Sequence, residues 1–174
     1  MCEDNVLQRT GLTVYDHQRH TVDNYVELCD LWATASDSEC PFVPVLQGND
    51  PASYLKCIDM YSDAGVDLLA VPLVGVGSVC RRQHTDEIRA VFEAILEREP
   101  RLWLHGFGVK SRGLQVYSEY LRSVDTMSWS LNARKNPPLP GCTHRSCSSC
   151  ILWAMRWRRK VLGYCTEFRP DHWD

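Results

Sequence analysis

Short apolar runs alternate along the chain with amphipathic stretches of helical period. Thr21 is placed to cap a helix running to about Ala35, with Val22, Tyr25, Val26, Cys29 and Trp32 on one face. Phe42-Val43-Pro44-Val45-Leu46 follows as an apolar run of strand type. Asp50-Pro51 then opens a second helix, because proline suits the first helical position. Its inward face is Tyr54, Leu55, Ile58 and Tyr61, and Gly65 ends it. The cycle repeats. Asp67 to Val71 reads as a buried strand, and Thr85 starts a helix carrying Ile88, Val91, Phe92, Ile95 and Leu96. Leu102-Trp103-Leu104 is a third strand, ahead of a helix from about Gly113 to Arg122 with Leu114, Tyr117 and Leu121 inward. Asp125 to Trp129 reads as a fourth strand, and a Cys/His-rich loop leads to a helix from about Cys150 to Leu162.

Strands alternating with helices argue for parallel pairing in an α/β fold. Glycine or polar residues follow each strand: Gln47-Gly48, Gly75-Val76-Gly77-Ser78, His105-Gly106-Phe107-Gly108 and Ser130 to Arg134. In (β/α) barrels the chemistry sits at such strand ends, and a complete eight-stranded barrel takes roughly 250 residues. The chain has 174 residues. The expectation is therefore a single domain over 1–174 that forms a partial (β/α)8 TIM barrel, its C-terminal strands and helices, cut at the N-terminus. A small complete open α/β sheet is the alternative.

Composition narrows the function classes. Hydrophobic residues make up 44%, which excludes a disordered tail. The net charge of −3 does not announce a nucleic-acid partner, so any basic surface must be local. The start, MCEDNVLQRTG, lacks the basic and apolar regions of a signal peptide, and apolar stretches are strand-length rather than membrane-length. A cytoplasmic protein without membrane contact is expected. In that setting nine cysteines read as thiols or metal ligands rather than disulfides.

The region 137–162 forms a chemical unit. Cys142, His144, Cys147 and Cys150 place four zinc-type ligands within one short loop, stiffened by Pro137, Pro138, Pro140 and Gly141. Four protein ligands would make the zinc structural; a metal-free thiol cluster is the other reading, and His172 is a rival fourth ligand. Cys2, Cys29, Cys40, Cys57, Cys80 and Cys165 look isolated. Arg156, Arg158, Arg159 and Lys160 follow the loop, interleaved with Trp153 and Trp157. That combination suits a phosphate backbone, or else forms a solvated helix face. Arg81 and Arg82, after a strand end, offer a second and weaker phosphate contact.

Several segments together resemble the tRNA-guanine transglycosylase (queuine tRNA-ribosyltransferase) superfamily. Val45-Leu46-Gln47-Gly48 is similar to its strand-end Gln-Gly motif, and Leu73-Val74-Gly75-Val76-Gly77 to its base-binding loop. Leu104-His105-Gly106-Phe107-Gly108 resembles a Leu-Met-Gly-Val-Gly strand end. Ser123-Val124-Asp125, running on to Ala133-Arg134, resembles the nucleophile strand and the arginine beyond it. The zinc loop follows in the expected order. Met1-Cys2-Glu3, Arg9-Thr10-Gly11 and His17-Gln18 are similar to the branch that places deazapurines in DNA.

The resemblance implies a base exchange: a carboxylate displaces guanine from its sugar, and a 7-deazapurine takes the vacant position. DNA is the first substrate expected and tRNA the second. Asp125 is the implied nucleophile, a carboxylate being suited to an oxocarbenium-like centre. A structural aspartate capping a loop is the competing reading. The tRNA enzymes carry a second aspartate three residues further on, where this chain has Ser128. The implied base-binding positions are Gln47, Leu73, Val74, Gly77, His105 and Gly106. Gln47 offers donor and acceptor atoms, and the imidazole of His105 stands where a methionine packs on the base. Arg134 joins the basic helix as a nucleic-acid contact. The family's early segment with a general acid/base carboxylate is not found. The chain alone is therefore expected to show weak or no exchange, with a homodimer or a partner supplying the missing barrel half. The alternative functions are a non-catalytic zinc-stabilised nucleic-acid-binding fragment, and an unrelated barrel enzyme that holds a sugar phosphate through Arg81 and Arg82.

Overall fold

The computed structural model describes residues 5–79 and 85–163. A short helix, α1 (Asn5–Thr10), ends at Gly11, whose φ of +68° turns the chain. The long helix α2 (Val14–Ala35) starts ahead of the Thr21 expected from sequence. Its cap is Thr13, whose side chain accepts from the Asp16 N–H, while the Asp16 carboxylate accepts from the Thr13 N–H. Thr21 lies inside this helix, its hydroxyl returned to the His17 carbonyl at 2.9 Å. Asp50 and Pro51 do open α3 (Pro51–Asp63), and Gly65 follows its end at φ +76°.

The strands are β1 (Val45–Leu46), β2 (Val74–Val76), β3 (Leu104–Gly106) and β4 (Ser123–Val124). Three of these depart from the apolar runs. Asp67 to Val71 is not a strand: the Ala70 N–H closes a turn onto the Asp67 carbonyl at 3.2 Å, and the Asp67 carboxylate takes the Leu69 N–H at 2.8 Å. The strand lies instead within the glycine-containing segment beyond it. The third strand is shifted toward His105-Gly106. The fourth precedes Asp125, and part of the expected strand is helix, α6 (Ser128–Arg134). The remaining helices are α4 (Thr85–Arg98), α5 (Ser111–Tyr117), continued by a tight turn over Ser118–Tyr120, and α7 (Ile151–Leu162).

All strand pairs are parallel, in the order β1-β2-β3-β4. Each crossover therefore steps to the next strand in the same direction. Right-handed crossovers that never reverse direction stack their helices on one face of the sheet. Burial agrees. Leu46, Val74, Val76 and Leu104 point to one face and are buried with Tyr54, Tyr61, Ile88, Val91 and Phe92 from α3 and α4. The opposite face carries Val45, Gly75, His105 and Ser123, paired across in register. This sequential parallel winding is what a barrel would use. Among the described residues it makes a four-stranded open α/β sheet, and a closed TIM barrel is not formed by them.

Tyr61 finishes the β1 edge, accepting from the Val45 N–H at 3.0 Å and donating to the Val45 carbonyl at 3.3 Å. Burial raises the Tyr61 phenol above its ordinary range, which keeps it a neutral donor. Cys29 and Cys40 are not isolated. The end of α2 and the following loop bring their sulfurs to 3.0 Å, and the Trp32 indole N–H holds the same loop through the Ser38 carbonyl. No helix among the described residues is long and apolar enough to cross a membrane.

Fully buried Tyr54 donates to the Gly77 carbonyl at 2.6 Å and so fixes the chain just beyond β2. Tyr54→Phe should leave that buried carbonyl without its donor and lower unfolding stability by about 1–3 kcal/mol. Urea denaturation of the variant beside the parent checks this.

Candidate functional site

The C-terminal ends of the parallel strands share one edge of the sheet, and Gln47, Gly77, His105 and Asp125 among the expected site residues stand along it. Gln47 follows β1 directly. Its Oε1 accepts from the Ser78 hydroxyl at 3.0 Å, and its Nε2 donates to Thr21 Oγ1 at 3.3 Å. An amide has two donor hydrogens and two acceptor lone pairs, so half of that capacity remains. The Gln47 carbonyl is held as well: buried Gln18 donates to it at 2.6 Å and to the Ser53 carbonyl at 2.7 Å. Gly77 lies beside Gln47, and a Cβ there would come within 3.5 Å of the Gln47 side chain.

The next positions along this edge form one connected group. His105 pairs in register with Gly75 on one side and Ser123 on the other. The Phe107 ring meets the His105 ring edge-on at 4.6 Å between centroids and lies over Gly75. Any Cβ on Gly75 would fall 2.5 Å from that ring, so the absence of a side chain seats the aromatic. His105 Nδ1 is 2.8 Å from Ser123 Oγ, and its Nε2 is 3.7 Å from Asp125 Oδ1. The Gly108 N–H donates to the same Oδ1 at 2.6 Å.

Asp125 stands just past the end of β4, not at the start of a strand as the apolar pattern suggested. Its side chain is 60% exposed, against 17% for His105. A carboxylate is thus presented at the strand-end edge, with one oxygen fixed by a backbone donor.

Three other expected base-binding residues lie elsewhere. Leu73 precedes β2, at the opposite end of the strand. Val74 begins β2, gives its N–H to the Trp103 carbonyl at 2.8 Å, and buries its side chain in the core. Gly106 faces the helices: a Cβ there would be 2.7 Å from Val109 and 3.1 Å from Leu121. Its glycine therefore serves core packing. Sequence reading found neither Ser123 as the partner of His105 nor Ser78 as the partner of Gln47, because both contacts arise from the folded sheet.

Beyond Asp125, α6 packs on the Cys/His loop and on α7. The ligand atoms of Cys142, His144, Cys147 and Cys150 all lie within 4.8 Å of one another. Zinc bonds of about 2.0–2.3 Å put tetrahedral ligands roughly 3.3–3.8 Å apart. The Cys142–Cys150 sulfurs at 3.9 Å and the His144 Nε2–Cys147 Sγ distance of 3.0 Å bracket that range, so the donor set fits zinc. Cys147 is fully buried and takes the Leu139 N–H at 3.3 Å, which fixes its sulfur toward the other three ligands. Burial and the neighbouring thiols push Cys142 up to about 11, whereas backbone N–H groups of Trp153 and Leu152 pull Cys150 down. With all positions taken by protein, the metal would supply cross-linking rather than chemistry.

Arg134 ends α6 exposed, and Arg156, Arg158, Arg159 and Lys160 are exposed on α7. The Lys160 ammonium sits 5.8 Å from the Trp157 ring centre. Arg81, Arg82 and His172 lie outside the described residues, as do Met1 to Glu3, Cys80 and Cys165.

Residues 1–173 match the family described as DeoxyPurine in DNA protein A (DpdA), and the chain belongs to that family. Membership ties it to deazapurine modification of DNA and, at a coarse level, to a glycosyl-transfer kind of activity. No curated protein and no solved structure matches the chain.

Purified chain should carry one zinc ion, and Cys147→Ser should lose it, as read by elemental analysis. Because thiols must deprotonate to bind metal, zinc affinity should rise with pH and fall as the solution is acidified. A competition titration with a chromogenic chelator at several pH values measures that sign.

Proposed function

From that membership, we propose that the chain, completed by a second copy or a partner that supplies the missing barrel half, exchanges guanine in DNA for a 7-deazapurine through a covalent bond between Asp125 and the sugar. The observation that carries this reading is the exposed Asp125 carboxylate at a strand C-terminal end, one oxygen tied to the Gly108 N–H and faced by His105. A carboxylate can attack an anomeric carbon as the base departs and can leave again when a new base returns. The Gly108 donor fixes Oδ1 and so sets the orientation of the attacking group before substrate arrives.

Gln47 uses its remaining donor and acceptor on the purine edge, the rest of its amide being held by Ser78 and Thr21. Gly77 places no side chain beside it, and the His105–Phe107 ring pair gives the base an aromatic wall. Arg134, Arg156, Arg158, Arg159 and Lys160 take the DNA backbone, a local basic surface on a chain of net charge −3. Zinc held by Cys142, His144, Cys147 and Cys150 would pin the loop from which the basic helix springs. DNA is favoured over tRNA by the family description.

A non-catalytic DNA-binding role is the second reading, favoured by the exposed basic helix on its metal-type loop. Asp125→Asn separates the two. On the enzymatic reading it abolishes guanine release and the covalent DNA adduct while DNA affinity changes by less than about threefold, a surface charge being a minor term. Base release that survives the substitution would overturn the assignment. Replacing Arg158 and Arg159 together by alanine should weaken DNA binding uniformly across sequences and reduce the salt slope by about 2 at most, near one unit per lost phosphate contact. Fluorescence anisotropy over a salt series reads both.

A further inference from the structure

Exchange of one purine for another is a proton problem as well as a bond-making one. A departing guanine leaves with the electron pair of the broken C1′–N9 bond and needs a proton on a ring nitrogen. The incoming 7-deazapurine must lose its own N9 proton. Strand alternation puts Val45, Gln47, Gly75, Gly77, His105, Phe107, Ser123 and Asp125 on the face away from the helices. Of these only His105 and Asp125 ionise. If Asp125 makes the bond to sugar, it cannot also carry the proton.

We infer that His105 is the proton carrier of the exchange and that Ser123 holds it for that task; the inference rests on the base-exchange reading above. The geometry divides the imidazole into two ends. Nδ1 is 2.8 Å from Ser123 Oγ, whereas Nε2 faces the site, 3.7 Å from the Asp125 carboxylate. Phe107, edge-on at 4.6 Å, fixes the ring from the side. Among the described residues the groups seen against His105 are one carboxylate, one hydroxyl and one aromatic ring.

In the forward half-reaction a carboxylate oxygen of Asp125 bonds to C1′ as the C1′–N9 bond breaks. The Nε2–H of the imidazolium passes its proton to guanine, which leaves neutral. His105 is then a neutral imidazole, with Nδ1–H donating to Ser123 Oγ and a lone pair on Nε2. In the return, Nε2 takes the N9 proton of the 7-deazapurine as N9 bonds to C1′, and the ester bond to Asp125 breaks. Carboxylate and imidazolium are both restored, and no outside acid or base is consumed.

Two measurements test this. The first is independent of turnover. Nitrogen-15 spectra of the full chain over a pH series should show that His105, once neutral, keeps its proton on Nδ1, and Ser123→Ala should weaken that preference. A neutral imidazole that keeps its proton on Nε2 overturns the inference. The second compares DNA carrying guanine with DNA carrying 7-methylguanine under single-turnover conditions. The methylated base is already cationic and leaves neutral without a proton. His105→Gln should slow guanine release by about a hundredfold or more, the usual contribution of a general acid, while 7-methylguanine release falls far less. Equal loss on both substrates reduces His105 to a packing residue and overturns the inference, leaving base exchange intact. If the parent protein in the assembly that completes its barrel releases neither base and forms no adduct, the base-exchange reading fails first and this inference with it.

Discussion

The molecule is organised by a single asymmetry between the two faces of its parallel sheet. Crossovers that always advance in one direction put the helices on one side, and strand alternation then assigns each residue to core or to open face. Leu46, Val76 and Leu104 are committed to the core, so Gln47, Gly77, His105 and Asp125 emerge on the other side. A slip of one residue in any strand would exchange the two sets and lose both core and site together. The short strands still hold their register because large side chains from α3 and α4 fill the helix side, with Tyr54 and Tyr61 bonded to strand-end backbone.

Local chemistry was legible in the sequence and long-range pairing was not. Asp50-Pro51 marked a helix start because cap and ring act on adjacent residues. The Cys142–Cys150 loop was readable for the same reason: four ligands within one turn need no help from the rest of the fold. Thr13 rather than Thr21 caps α2, because its partner Asp16 supplies the reciprocal bond. The apolar run 67–71 misled because a side chain at Asp67 captured the backbone into a turn. Displacing the fourth strand onto Ser123-Val124 moved Asp125 from a strand start to a strand end, which is where parallel folds present reactive groups. His105–Ser123 could not be foreseen, since it exists only through the β3–β4 register.

Charge and metal share a similar logic of locality. A chain of net charge −3 offers no general attraction to DNA, yet Arg156, Arg158, Arg159 and Lys160 lie exposed together on one helix beside a loop suited to zinc. That helix leaves Ile151, Leu152 and Met155 exposed as well, so its outward side mixes apolar and cationic groups. The Cys/His loop and α6 tie it to the strand that precedes Asp125.

Ser78 shows how the polypeptide sets the direction of a side chain at the sheet edge. It is the non-glycine residue with positive φ among those described, at +63°, and it is buried. A left-handed conformation costs a side-chain-bearing residue about 1–2 kcal/mol relative to the right-handed one. Glycine would relieve that penalty, but it would remove the hydroxyl that locks the Gln47 amide. Backbone strain beyond β2 is thereby converted into a preset amide direction, so a ligand meeting Gln47 need not order it.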